Sequence, residues 1–130
     1  MAKLSDLIVD VKAQEEGEWR AHPYFDGVEV LVRSIHCEAY RKRRATLYNR
    51  LPPKRRKHGD AMELTLRLDR EALDACLGGW RGIDEAEYSP DRAREWSIDP
   101  RFRRFWEGVR ELAEDIGESE ASSREESVRD

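Results

Sequence analysis

The sequence predicts an α+β fold that is mainly α-helical, with an N-terminal β-hairpin followed by about four or five helices around a small core. Apolar residues alternate with polar ones on both sides of Asp26-Gly27, which is typical of a hairpin. Ser89-Pro90 and Asp99-Pro100 are two helix-start signals in the second half of the chain. After the second signal, apolar residues recur three and four positions apart on one helical face: Phe102, Phe105, Trp106, Val109, Leu112, Ala113 and Ile116.

Composition indicates one small domain. Leu, Ile, Val and Phe together supply only 26 of the 130 residues, while 40% of the residues are charged. A chain this poor in core-forming residues has little to bury, although its four Trp and four Tyr partly compensate. We expect a single domain over residues 1–116, with the hairpin in 4–33 and the helical part in 36–116, followed by a flexible acidic tail over 117–130.

The N-terminal third is expected to be mostly β. Leu4–Val11 is a short β-prone run, and the residues from Glu18 to Tyr24 pair in the prediction with Val28–Arg33. A basic helix is then predicted from about Cys37 to Arg50 and ends before Pro52-Pro53.

The middle of the chain allows two interpretations. Ala61–Leu68 alternates like a strand but consists largely of strong helix formers, and we favour a helix. A further helix is expected to begin at Asp69 and to end around the glycines that flank Trp80. Its expected apolar face consists of Leu73, Cys76, Leu77 and Trp80.

The charges are unevenly distributed. Nine basic residues and no acidic one lie between Arg41 and Lys57, whereas eight acidic residues lie between Glu111 and Asp130. The basic stretch allows a nucleic-acid-binding interpretation, in which Arg and Lys neutralise phosphates. The acidic total charge of −4 and the absence of a recognisable nucleic-acid-binding module favour a solvated helix face instead.

Neither a catalytic nor a metal site is predicted. The three His and two Cys residues lack the spacing of a zinc site, and the glycines around Trp80 lack the Lys-Ser/Thr of a phosphate-binding loop. We therefore expect no enzyme activity, no metal and no cofactor. Cys37 and Cys76 are expected to be buried thiols in a reducing compartment, and no apolar run is long enough to span a membrane.

The candidate functional residues are therefore ones that can bind a protein partner. A core this small leaves some aromatic side chains exposed in the prediction, and such a patch is typical of a partner site or of a self-association surface. The candidates are Trp80, Arg81, Tyr88 and Trp96, together with Arg41, Arg43 and Arg44 of the basic helix.

An ordered series of short motifs runs from about residue 15 to residue 117. It comprises Glu16-Gly17-Glu18-Trp19, the strand Val28–Arg33, the basic helix with Tyr40, Leu77-Gly78-Gly79-Trp80-Arg81-Gly82-Ile83, Tyr88-Ser89-Pro90 with Ala93, and Asp99-Pro100 before Arg104-Phe105. In order and spacing, this series resembles the tail assembly chaperones of long-tailed bacteriophages.

The resemblance implies a non-catalytic protein of the host cytoplasm. Such chaperones bind the tape measure protein, keep it soluble, help tail-tube subunits gather round it, and are generally absent from the finished virion. Many are also made in a longer, frameshifted form. Two alternatives stay open: a minor virion tail or connector protein, and a nucleic-acid-binding regulator that acts through residues 41–57.

Overall fold

The computed structural model describes residues 1–52 and 61–118. The helices are α1 (Leu4–Leu7), α2 (Val11–Glu16), α3 (Glu38–Asn49), α4 (Ala61–Ala72), α5 (Pro90–Ser97) and α6 (Arg103–Asp115). The strands are β1 (Glu18–Ala21), β2 (Glu29–Val32) and β3 (Leu77–Arg81), and short 3-10 helices span Leu73–Ala75 and Pro100–Phe102. The predicted α+β, mainly helical fold is confirmed.

The three strands form one antiparallel sheet in the order β1-β2-β3. β1 and β2 are the predicted hairpin, in which Trp19 lies opposite Leu31. On the other side of β2, Val30 lies opposite Trp80. Because side chains alternate along a strand, one face of the sheet carries Val30, Val32 and Trp80, and that face is buried.

The core lies between this sheet face and the helices. Trp106, Val109 and Ala113 of α6 are at most 1% exposed, and the predicted spacing of the apolar face of α6 explains their burial. Cys37 and Cys76 are fully buried, as expected. The other core members come from several elements: Tyr40, Ala72, Leu73, Leu77, Ala93, Phe105 and Ile116.

Local helix signals were predicted well. The basic helix is α3, Ser89 accepts a hydrogen bond from the backbone N–H of Arg92 at the start of α5, and Asp99 caps the following 3-10 turn. The favoured helix over 61–68 is confirmed as the first part of α4. Residues 53–60, which follow the basic helix and include the end of the basic stretch, lie outside the described residues, and so does the predicted tail beyond residue 118.

Three predictions were wrong. Leu4–Val11 is not a strand but contains α1 and the start of α2, so the hairpin does not begin at residue 4. No helix begins at Asp69, because α4 continues through it to Ala72.

The third error concerns the glycine-rich segment Leu77–Arg81, which is a strand rather than a helix end, so 36–116 is not purely helical. Gly79 allows this pairing, since the Trp19 ring lies 3.3 Å from the position that a Cβ of Gly79 would take. Within the described residues, no helix combines the length and the apolar character that crossing a bilayer requires.

Candidate partner-binding surfaces

An aromatic stack joins the end of the sheet to α5 and α6. The rings of Trp80 and Trp96 lie 4.6 Å apart and are nearly parallel, at 5°. Phe102 stacks on Trp96 at 4.2 Å, and Phe105 meets both indoles edge-on at 5.8 and 5.9 Å. These separations are typical of favourable aromatic pairs, so the stack is a rigid unit within the core.

Trp80 and Tyr88 lie mainly inside this unit. Trp80 is only 6% exposed, and its indole N–H donates a hydrogen bond to the carbonyl of Ala86 at 2.8 Å. The hydroxyl of half-buried Tyr88 donates to the carbonyl of Leu77 at 3.2 Å, and burial raises its pKa. The two side chains hold the loop after β3 in place and offer little surface to a partner.

Trp96 lines an open groove, which we call the aromatic groove. Its volume is about 490 Å³, within the range of roughly 300–1,000 Å³ that is typical of concave binding sites. The lining residues come from the hairpin turn, from the loop after β3 and from the segment that runs from α5 into α6: Phe25, Val28, Gly82, Ile83, Asp84, Trp96, Arg101, Phe102, Arg104 and Phe105.

The hairpin turn is fixed against α6 by His22. The side chain of His22 is 5% exposed, and its Nε2 lies 2.8 Å from the carbonyl oxygen of Phe105. Its Nδ1 accepts a hydrogen bond from the backbone N–H of Tyr24 at 3.1 Å, so the neutral ring carries its proton on Nε2. Burial lowers the pKa of His22. The ring lies against Gly108, where an added Cβ would be 2.2 Å from Cε1 of His22.

Phe25 lies at the outer wall of the groove because the hairpin turn closely approaches Gly82 in the loop after β3. Gly82 has a φ of +87°, and a Cβ there would lie 2.0 Å from the carbonyl oxygen of Gly27. Only glycine permits both this backbone conformation and this contact. The glycine that ends the Gly-Trp-Arg-Gly motif thus brings the hairpin turn next to the loop after β3.

Cationic side chains stand at the edge of the aromatic groove. Arg101 forms a salt bridge with Asp99 at 2.8 Å, and this hydrogen bonding lowers the pKa of Asp99. The guanidinium of Arg104 lies 5.0 Å from the ring centroid of Tyr24, whose hydroxyl donates a hydrogen bond to Glu111. Asp84 also lines the groove, so the groove combines apolar walls with an edge of mixed charge, at which Arg101 is already paired with Asp99.

The predicted basic residues lie on a different surface. Arg41 and Arg44 line a second cavity of about 400 Å³ between α3 and α4, which we call the α3–α4 cleft. Arg44 is paired with Asp69. Arg43 instead forms a salt bridge with Asp74, with its Nε 3.3 Å from Oδ1. Arg94 pairs with the same carboxylate, with its Nε 3.5 Å from Oδ2. These pairs reduce the positive charge that a phosphate backbone would meet on α3.

Arg81 lies on a third surface, the outer face of the sheet. Its guanidinium makes two hydrogen bonds to Glu29, at 3.0 and 3.1 Å, and lies 4.3 Å from the ring centroid of Trp19. The hydrogen bonds from Arg81 lower the pKa of Glu29. The structure thus separates the candidates predicted from the sequence: of these, only Trp96 lines the aromatic groove.

The sequence interpretation missed several residues of the groove. Phe25 and Ile83 are not among the predicted partner-binding residues, and Phe102 is predicted to lie on the apolar face of a helix, although all three line the open cavity. A usable signal was the turn itself, since an aromatic residue beside Asp26-Gly27 sits at the tip of a hairpin.

Among residues 1–52 and 61–118, no three His, Cys, Asp or Glu side chains are grouped so that they would hold a metal ion. Comparison with known proteins gave no match to any family model, to any curated protein or to any solved structure.

Proposed function

We propose that this chain is a phage tail assembly chaperone that binds the tape measure protein in the host cytoplasm and helps recruit tail-tube subunits, without catalysis. The ordered motifs supply the resemblance to that family. The observation that carries the proposal is the aromatic groove, because a chaperone for a long helical protein needs an apolar receptor for a helix.

The groove has the features that helix recognition requires. An amphipathic helix binds by placing apolar side chains from one face into a hydrophobic groove. Here the stacked rings of Trp96 and Phe102 supply a rigid wall, and Phe25, which is 40% exposed, supplies the opposite edge. Rigid aromatic side chains lose little conformational entropy on binding and are frequent energetic centres of protein interfaces.

Several of the family-like motifs meet at this groove. Gly82 and Ile83, which end the Gly-Trp-Arg-Gly-Ile motif, line it directly, whereas Trp80 supports Trp96 from behind. The Ser89-Pro90 start of α5 positions Trp96 one turn or two further along the helix. The motifs of the second half thus contribute to the groove, whereas Trp19 and the basic helix α3 lie on the other two surfaces.

The α3–α4 cleft offers room for a second partner. It lies on other elements than the groove, and its lining of Tyr48, Leu64 and Leu68 is apolar beneath two arginines. Two separate apolar surfaces suit a protein that has to bind the tape measure protein and a tail-tube subunit at the same time. The ion pair of Arg44 with Asp69 reduces the positive charge of this cleft, which makes the cleft better suited to a protein than to a nucleic acid.

Co-expression with the tape measure protein of the same phage tests the proposal. We expect the soluble fraction of the tape measure protein to rise several-fold when the chain is present, and to fall again with Phe25→Glu, which places a charge in the groove. Ile98→Glu is the matched control, because Ile98 is 65% exposed and does not line the groove.

Each outcome has a separate meaning. If the tape measure protein is equally soluble without this chain, the chaperone function is wrong. If the chain solubilises it and Phe25→Glu does so equally well, the function stands but the groove is not the receptor. Detection of the chain in stoichiometric amounts in purified virions would favour a minor structural protein of the tail.

A further inference from the structure

Residues 4–11, which we call the N-terminal arm, expose apolar side chains that contact little of the remaining protein. Leu4 is 74% exposed, Leu7 71% and Val11 61%, and Ile8 and Val9 are also exposed. α1 buries none of its residues. Grouped apolar exposure of this kind marks an interaction site more often than an inert surface.

The arm leaves the domain at a fixed point. The backbone N–H of Asp10 donates a hydrogen bond to the carbonyl of Gly117 at 2.9 Å. Gln14, which is 5% exposed, donates to the carbonyls of Ile116 and Gly117 at 3.4 and 3.3 Å. The arm is therefore attached beside the C-terminal end of α6.

The aromatic groove lies at the other end of the same helix. Phe105, the groove residue furthest along α6, is separated from Gly117 by about 18 Å of helical rise. Even fully extended, the chain from Asp10 back to Leu7 spans only about 10 Å. Leu7, Ile8 and Val9 therefore fall short of the groove in their own molecule.

The arm and the groove nevertheless match in chemistry. The arm presents Leu7-Ile8-Val9 between two carboxylates, Asp6 and Asp10. The groove presents aromatic walls with Arg101, Arg104 and Asp84 at its edge. Because Arg101 is already paired with Asp99, Arg104 is the cation at this edge that a carboxylate of the arm would meet. Opposite charges at the rim of an apolar contact favour one orientation of the partner and speed its association.

We propose that the N-terminal arm of one copy docks in the aromatic groove of a second copy. Because donor and acceptor are different surfaces, the contact is heterologous, and repeating it generates rings or open chains of copies. The inference does not depend on the proposed chaperone function. If both hold, the arm covers the groove until a client helix displaces it.

Sedimentation equilibrium of the isolated chain tests the proposal. The weight-average mass of the wild type is expected to exceed the monomer mass of 15.2 kDa and to rise with concentration. Leu7→Glu removes the donor and Phe25→Glu removes the acceptor, so each variant alone is expected to be monomeric. Ile98→Glu, the control for an added surface charge, is expected to associate like the wild type.

A mixture of the two defective variants gives the sharpest outcome. Each retains the surface that the other lacks, so an equimolar mixture is expected to form a 1:1 heterodimer and nothing larger. Far-UV circular dichroism checks that both variants are folded. If Phe25→Glu does not fold, Arg104→Glu at the exposed groove edge replaces it and is expected to weaken association.

Three results would overturn the proposal. The wild type stays at the monomer mass up to about 1 mM, Leu7→Glu associates as strongly as the wild type, or the mixture of folded donor and acceptor variants stays monomeric. All three measurements are made without the tape measure protein, so their failure leaves the proposed function untouched.

Discussion

Gly108 provides a sharp test of the packing between α6 and the hairpin turn, because helix propensity and tertiary structure predict opposite effects for Gly108→Ala. Gly108 lies in the middle of α6. In an isolated helix the substitution would stabilise by about 1 kcal/mol. In the folded protein, the new Cβ would lie 2.2 Å from Cε1 and 2.5 Å from Nε2 of His22.

The steric cost outweighs the gain in propensity. To reach an ordinary contact distance, the His22 ring has to move by more than 1 Å, which breaks its 2.8 Å hydrogen bond to the carbonyl of Phe105. Overpacking costs about 1–3 kcal/mol and an unsatisfied buried group about 1–3 kcal/mol. After subtraction of about 1 kcal/mol for propensity, we expect a net destabilisation of about 1–5 kcal/mol.

Urea denaturation followed by far-UV circular dichroism measures this change. The double variant His22→Ala, Gly108→Ala is the control, because the three atoms nearest to the added Cβ all belong to the His22 ring. In the His22→Ala background, Gly108→Ala is expected to stabilise by up to about 1 kcal/mol. The reasoning is refuted if Gly108→Ala stabilises the wild type, or if its effect is the same in both backgrounds.

Three further predictions concern stability. Burial lowers the pKa of His22 below 6.5, so the folded state binds a proton less readily than the unfolded state; stability is full above pH 6.5 and is expected to fall as the pH drops below it. His22→Gln should flatten this slope in denaturation midpoints measured between pH 7 and pH 5, and an unchanged slope would contradict the role of His22. Asp74, whose side chain is 8% exposed, is the shared ion-pair partner of Arg43 and Arg94. Asp74→Asn removes its negative charge and should lower the free energy of unfolding, measured by urea denaturation, by about 1–3 kcal/mol; no loss would show that the two pairs are solvated. Trp80→Phe keeps an aromatic ring in the stack but loses the 2.8 Å indole hydrogen bond. It should lower the free energy of unfolding by about 1 kcal/mol and the melting temperature by a few degrees, less than Trp80→Ala, which also removes the ring. A larger loss for Trp80→Phe than for Trp80→Ala would contradict this expectation.

The helices were predictable where the signal is local. Ser89 and Asp99 accept hydrogen bonds from backbone N–H groups two or three residues ahead, so each helix start is encoded within a few positions. The apolar face of α6 is equally visible, because its spacing depends on the helix alone.

The strand β3 was not predictable in the same way. Its glycines are typical of a helix end, and it is a strand because β2 offers a free edge and the Trp19 ring fills the space over Gly79. Leu4–Val11 shows the converse, since its residues are β-prone but pair with no strand of the described sheet. Both outcomes depend on residues far away in the sequence.

The candidate site was predicted only in part, because contacts between residues far apart in the sequence also determine which aromatic side chains are exposed. An exposed aromatic patch in the second half of the chain was expected, and Trp96 lies in one. Trp80 is buried because Trp96, Tyr88 and Phe105 surround it, which no local pattern shows. Phe25 reaches the groove only through the packing of the hairpin turn on α6 and Gly82.

The most direct test of the central claim is the affinity of the groove for a helical segment of the tape measure protein, measured by isothermal titration calorimetry. Leu7→Glu serves as the reference protein, since the arm of a neighbouring copy then cannot compete for the groove. We expect Leu7→Glu to bind the segment and the double variant Leu7→Glu, Phe25→Glu to bind at least about tenfold more weakly, the loss of one aromatic anchor. Equal affinity of the two proteins, or no binding to Leu7→Glu by any segment of the tape measure protein, would contradict the account.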